Sequence, residues 1–172
     1  MDRTFEYKDF YANGDVVIGE NDESLNGNPN ANLNPGSGLV VEEGENTQDL
    51  GKVTLSGSVD NWASLIAGCN TNVDTLELSL TVPGHKWHFI GFPFAVDIDN
   101  LHADHQFAIY EYDGEARATH GTTGWKVVPK SQKKLNPGHG YIIQFNTDTD
   151  CQFRIKVHQP NFCAMMNNIE LK

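Results

Sequence analysis

The chain has only three cysteines, only twelve lysines and arginines, and no apolar run long enough to cross a membrane. Each scarcity excludes something. A membrane-spanning helix needs about 18 or more consecutive apolar residues, so no span is expected. A nucleic-acid backbone needs clustered Lys and Arg. Twelve such residues against 23 acidic ones give a formal charge of -11 and argue against that partner. Cys69, Cys151 and Cys163 lack paired metal-ligand spacing and leave one cysteine over in any pairing scheme. Three ordinary thiols are expected, with Cys151 in the core of an alternating strand; one disulfide is the alternative, and the redox compartment stays open. No basic segment and apolar run follow Met1, so no signal peptide is visible, although a mature exported domain given a new Met would read the same way.

What is present is a succession of short aromatic and β-branched strands broken by Gly, Pro and Asp turns. Leu76, Leu78, Leu80 and Val82 alternate with Glu77, Ser79 and Thr81, and Cys151, Phe153, Ile155 and Val157 alternate with Gln152, Arg154, Lys156 and His158. A period of two is that of a half-buried antiparallel strand. Pro83-Gly84-His85 leads into a strand carrying Trp87 and Phe89, and Pro137-Gly138-His139 into one carrying Tyr141, Ile143 and Phe145. In both, Pro fixes one dihedral of a type II turn and Gly takes the positive one. Asp60 caps a predicted short helix with Trp62, Leu65 and Ile66 on one face and Gly68 beyond its end. The pattern predicts an all-β chain: an antiparallel two-layer β-sandwich, jelly-roll-like, with one short helix, forming a single domain over residues 1–172.

Residues 21–36 read NDESLNGNPNANLNPG, with Asn at 26, 28, 30, 32 and 34. So little apolar area offsets chain entropy poorly, which predicts a long surface loop. The alternative is an extended chain whose alternating amides form a ladder or a contact surface.

The residues from Trp87 onward carry a resemblance. Trp87, Ile90, Pro93 and Phe94 are followed by Tyr112-Asp113-Gly114, Arg117, Gly124-Trp125-Lys126 and then Gly138, Gly140 and Tyr141. Over roughly residues 74–158 this resembles modules of secreted and cell-surface proteins of Bacteroidota, including adhesin-like and glycan-associated ones. The resemblance implies a β-rich module within or beside a larger exported protein, with neighbouring domains or subunits. A virion or appendage component of a phage infecting such bacteria shares the same gross character.

Chemical constellations are weak by comparison. Asp97, Asp99, His102, Asp104 and His105 are the best metal candidates, but they lack the spacing of a helical zinc motif or a calcium loop. A solvated turn without tight metal dependence is expected there, and no cofactor. His85, His88, His120 and His139 lie beside no nucleophile motif, and Glu111 and Asp113, two apart on one strand face, are a poor glycosidase pair. Residues 114–124, GEARATHGTTG, hold no phosphate-binding glycine pattern. The chain is therefore expected to be no enzyme. Tyr110, Tyr112, Trp125, Trp87 and Trp62 are the credible binding residues, since each offers broad apolar area with a polar handle, suited to a protein or a glycan. Tyr110 and Tyr112 should point away from Phe107 and Ile109, with cover by the front half the preferred arrangement and an exposed recognition patch the alternative. The function expected is that of a non-catalytic extracellular or cell-surface structural or adhesion module, with a carbohydrate-binding module as the second reading.

Overall fold

A computed structural model describes residues 9–19, 25, 27–121, 124–129 and 131–163. They fall within two compact units, Met1–Thr81 with Arg154–Lys172, and Val82–Phe153. The chain is strand-rich, as expected, and no described helix is long and apolar enough to cross a membrane.

The strands of the first unit are β1 (Phe10–Ala12), β2 (Val16–Ile18), β3 (Ala31–Leu33), β4 (Gly38–Val41), β5 (Gln48–Ser58), β6 (Ser64–Ala67) and β7 (Thr71–Pro83). Odd-numbered strands pair in the order β1-β3-β5-β7 and even-numbered ones in the order β2-β4-β6, and every pairing is parallel. The chain thus alternates between two sheets and advances one rung per circuit, as a β-solenoid does. Phe10, Ala31, Val53 and Leu76 succeed one another across the first sheet. Ala31, Leu33, Leu39, Val41, Leu50 and Val53 are almost wholly buried. The antiparallel pairing expected for this half is therefore corrected for β1 to β7 among themselves; β7, whose alternation suggested it, meets an antiparallel neighbour only in a strand of residues 150–158. Each strand leaves for the other sheet and returns one rung on, so consecutive strands never meet as a hairpin, and alternation alone does not distinguish the two directions.

Two further expectations change in this unit. The region predicted as a helix is β6, paired with β4 from Gly38 opposite Ser64 to Val41 opposite Ala67. Four residues with an open strand edge beside them gain more backbone bonds as a strand than as a single helical turn. The Asn-rich segment, where described, contributes a rung at Ala31–Leu33 between irregular chain at 27–30 and a turn at 35–36. The peptide N–H of Asn30 donates to Asp9 Oδ1 at 2.9 Å, its Nδ2 donates to Asp9 Oδ2 at 3.0 Å, and its Oδ1 accepts from Lys52 N at 2.6 Å. Asn34 Nδ2 donates to Asn13 Oδ1. Amide bonds between rungs supply what apolar area does not. Residues 21–24 and 26 of the predicted loop lie outside the described residues.

The remaining strands are β8 (Trp87–Gly91), β9 (Val96–Asp97), β10 (Leu101–Ala103), β11 (Phe107–Tyr112), β12 (Trp125–Val127), β13 (Lys134–Leu135), β14 (Gly140–Phe145) and β15 (Asp150–His158), with a 3-10 turn at Ile98–Asn100 and helix α1 at Gly114–His120. In the second unit β12-β11-β14-β8 form an antiparallel sheet and β9 pairs with β13. One face of the four-stranded sheet buries Ile109, Tyr141, Ile143 and Phe145. Phe153 of β15 meets Phe145 and Phe107 edge-on, at ring distances of 5.4 and 5.9 Å. The alternation predicted for Cys151 to His158 holds at every position.

Helix α1 was not expected from the sequence. Asp113 caps α1 by accepting from Ala116 N at 2.7 Å, Glu115 stands in the first turn, and Gly121 ends the helix with φ 64°. These are ordinary start and stop signals, compressed into seven residues. Of the two Pro-Gly turns, Gly138 takes a positive φ of 72° as expected, whereas in the first it is His85 that does so, at 51°. Gly84 is needed there for another reason: a Cβ on it would lie 1.9 Å from the Thr147 carbonyl oxygen.

The cysteines are also corrected. Cys69 and Cys163 form a disulfide across 94 residues within the first unit, and Cys151 is the free, buried one.

Candidate functional site

The outer face of the four-stranded sheet carries four of the five aromatic residues singled out by sequence. Register decides this. Tyr112 lies opposite Trp125, and Tyr110 opposite Ile142, which in turn lies opposite Phe89. Alternation then puts Trp87, Phe89, Tyr110, Tyr112 and Trp125 on one face. Ring contacts join them: Trp87 to Tyr110 at 5.0 Å, Tyr112 to Trp125 at 5.2 Å and Phe89 to Trp125 at 6.3 Å, all edge-to-face.

This face is open. Phe89 is 79% exposed, Val127 57%, Tyr112 50% and Trp87 49%. Tyr110 is half-buried beneath the Trp87 edge. Of the two outward tyrosines, Tyr112 is the more exposed. Phe89 and Val127 are not among the binding candidates of the sequence; their signal is the alternation itself, Phe89 being two residues beyond Trp87. Trp62 belongs to the first unit, where its ring lies over Gly57.

Edge-to-face rings hold one another in fixed orientations, contributing about 0.5–1.5 kcal/mol per pair beyond area burial. The rings of this face are therefore held in mutual register.

The acidic and histidine candidates are dispersed. Asp97 lies 3.8 Å from Lys134, Asp99 stands in the 3-10 turn, and His102 is exposed on β10. Asp104 and His105 do come together, joined by Cys151, a residue 47 positions from Asp104 that spacing could not connect to them. Asp104 Oδ1 accepts from Cys151 Sγ at 2.8 Å and from Gln152 N at 3.0 Å, and lies 2.9 Å from His105 Nδ1. The Cys151 bond first, then His105, holds the Asp104 carboxyl down at about 2; burial first, then the Asp104 charge, pushes the Cys151 thiol up to about 11.

The other histidines do not assemble. His85 Nε2 lies 3.2 Å from Asp148, His88 Nε2 is 2.8 Å from the Pro83 carbonyl, and His139 stacks on Tyr141. The side chain of His120 lies outside what is described. Asp113, half of the weighed carboxylate pair, is engaged by the cap to Ala116 and by Lys126, which together lower its pKa, the cap more.

The chain matches no family model, no curated protein and no solved structure.

Proposed function

We propose that the chain is a non-catalytic module of an extracellular or cell-surface protein and works in adhesion through the aromatic face of its four-stranded sheet. The observation that carries this reading is the exposure of Phe89, Trp87 and Tyr112 together with the ring contacts that hold them in register. Large exposed aromatic clusters on a protein surface mark recognition sites. The Cys69–Cys163 disulfide supports an oxidising setting, since structural disulfides persist outside the reducing cytosol.

Carbohydrate binding is the second reading, and the rings themselves favour it. Indole and phenol faces stack on the apolar faces of sugar rings, while their N–H and O–H groups meet hydroxyls. Glycan-array screening of the whole chain, alongside Trp125→Ala and Tyr112→Ala, tests both readings. Binding lost in both variants supports the glycan reading. No glycan bound, but attachment to host or neighbouring cell surfaces that both variants abolish, supports adhesion to protein. Attachment indifferent to both substitutions overturns the use of this face.

A further inference from the structure

We propose that Asp104, His105 and Cys151 form a binding site for a borderline divalent cation of the Zn²⁺ type. The three side chains offer one carboxylate oxygen, one imidazole nitrogen and one sulfur, and these ligand atoms all lie within 4.8 Å of one another. Tetrahedral zinc holds S, N and O ligands at about 2.0–2.3 Å, which requires ligand atoms separated by about 3–4 Å. The observed separations of 2.8 and 2.9 Å from Asp104 Oδ1 need to open by less than about 1 Å, and Cys151 Sγ and His105 Nδ1, within 4.8 Å of one another, to close by about 1 Å at most, both within the reach of side-chain rotation.

Backbone geometry explains the convergence. Successive residues of a strand point to opposite faces. Asp104 and His105 follow the end of β10, in a bend of the chain, so two consecutive side chains come to one side. Cys151, near the start of β15, presents its sulfur to them from the core. Gln152 N holds the same Asp104 oxygen and so fixes the carboxylate from behind, the kind of outer contact that orients metal ligands. The Asp104 and His105 side chains remain 47% and 37% exposed, giving an ion access and leaving room for water as a fourth ligand.

The donor set selects the ion. Thiolate with imidazole suits Zn²⁺ and Co²⁺, whereas Mg²⁺ and Ca²⁺ take oxygen ligands. Binding is an exchange: the Cys151 S–H proton leaves to solvent, the sulfur–metal bond forms, and the Asp104 oxygen passes from accepting the thiol to ligating the ion. His105 ligates through Nδ1 and keeps its proton on Nε2.

Co²⁺ titration of the whole chain with its disulfide intact tests this, because Cys151 is then the single thiol. The expected result is one equivalent of Co²⁺ with a thiolate-to-cobalt charge-transfer band, bleached by added Zn²⁺ and unaffected by excess Ca²⁺. Cys151→Ser should abolish the band. His105→Ala, a change at a solvent-reaching side chain that leaves the fold intact by circular dichroism, should weaken binding about tenfold or more while keeping the band. Absence of the band in the wild-type chain, a band surviving Cys151→Ser, or a Co²⁺ affinity unchanged by His105→Ala would each overturn the site.

Discussion

Lys52 Nζ lies 2.9 Å from Glu77 Oε2, and the Glu77 carboxylate, only 8% exposed, is approached by Lys156 Nζ at 3.6 Å from the other side. Lys52 is on β5 and Lys156 on β15, so one buried acid on β7 ties together three neighbouring strands of the first unit. Thr75 stands 3.2 Å from His158, and Gln159 N donates to Asp74 O at 3.0 Å, so β15 runs antiparallel along the last parallel strand. The solenoid is thereby closed at this edge by a strand of opposite direction.

Glu77→Gln should lower stability by about 1 kcal/mol, because both lysine heads are nearly half exposed and solvent screens what they contribute. Its pH dependence is more diagnostic. Burial raises the Glu77 pKa, but the bond from Lys52 and the charges of Lys52, Lys156 and Arg154 overcome it, and the folded value lies below the ordinary 4.5. A carboxylate with a depressed folded pKa stabilises fully above its unfolded value and loses that contribution as pH falls through the folded one. Urea midpoints of the two proteins should differ at neutral pH and converge below pH 4.5; a constant difference would mean that charge is not what Glu77 supplies.

What was legible in the sequence followed from local periodicity. The alternation from Cys151 to His158 gave the correct strand and faces, and the outward placement of Tyr112 against an inward Ile109 followed from the same rule. The parallel coil was not legible, because its signal is a recurrence of apolar-x-apolar triplets every 21 to 23 residues that only register reveals: Phe10 to Ala12, Ala31 to Leu33, Val53 to Leu55, Leu76 to Leu78. The asparagines hid it further. Asn30 reads as loop chemistry until Asp9 and the Lys52 peptide are placed on either side of it. Cys151 failed for the opposite reason: its place in the core follows from its strand, but the Asp104 carboxylate its sulfur meets belongs to another segment. Cys69 and Cys163 pair across 94 residues, a distance that no spacing rule spans.

Gly84→Ala should be among the most damaging single substitutions in the second unit. The new Cβ would sit 1.9 Å from the Thr147 carbonyl oxygen, and the backbone there is held by Gly84 N donating to Thr149 O at 3.1 Å. Relief requires moving one chain off the other, with an expected cost of about 1–3 kcal/mol. Gly140→Ala is the control, since its Cβ meets nothing within 4 Å. Thermal melts should separate the two by several degrees, and equal melting temperatures would show that the 84–85 turn yields without cost.

Replacing Cys69 and Cys163 by alanine should cost about 2–4 kcal/mol, because the bridge closes a loop of 94 residues in the unfolded chain. The segment it anchors carries buried Pro160 and Phe162 beside Val73. Hydrogen exchange should therefore accelerate first in residues 159–163 and at the β7 positions they cover. Uniform acceleration across β1 to β7 would instead place the effect wholly in the unfolded state.

Phe89→Ser should separate recognition from stability. Phe89 is 79% exposed, so removing its ring takes little apolar area out of contact, and the change in stability should stay within about 0.5 kcal/mol. The ring does touch Trp125, at 6.3 Å, and Trp125 touches Tyr112. Its loss should alter the near-ultraviolet circular dichroism of the aromatic cluster without altering the far-ultraviolet spectrum. Partner binding through this face should weaken by about tenfold or more, the cost of removing one anchoring aromatic of over about 1.4 kcal/mol. A variant that melts early would show that Phe89 serves the fold, and one that melts normally and binds normally would remove the outer face of the four-stranded sheet from the recognition surface.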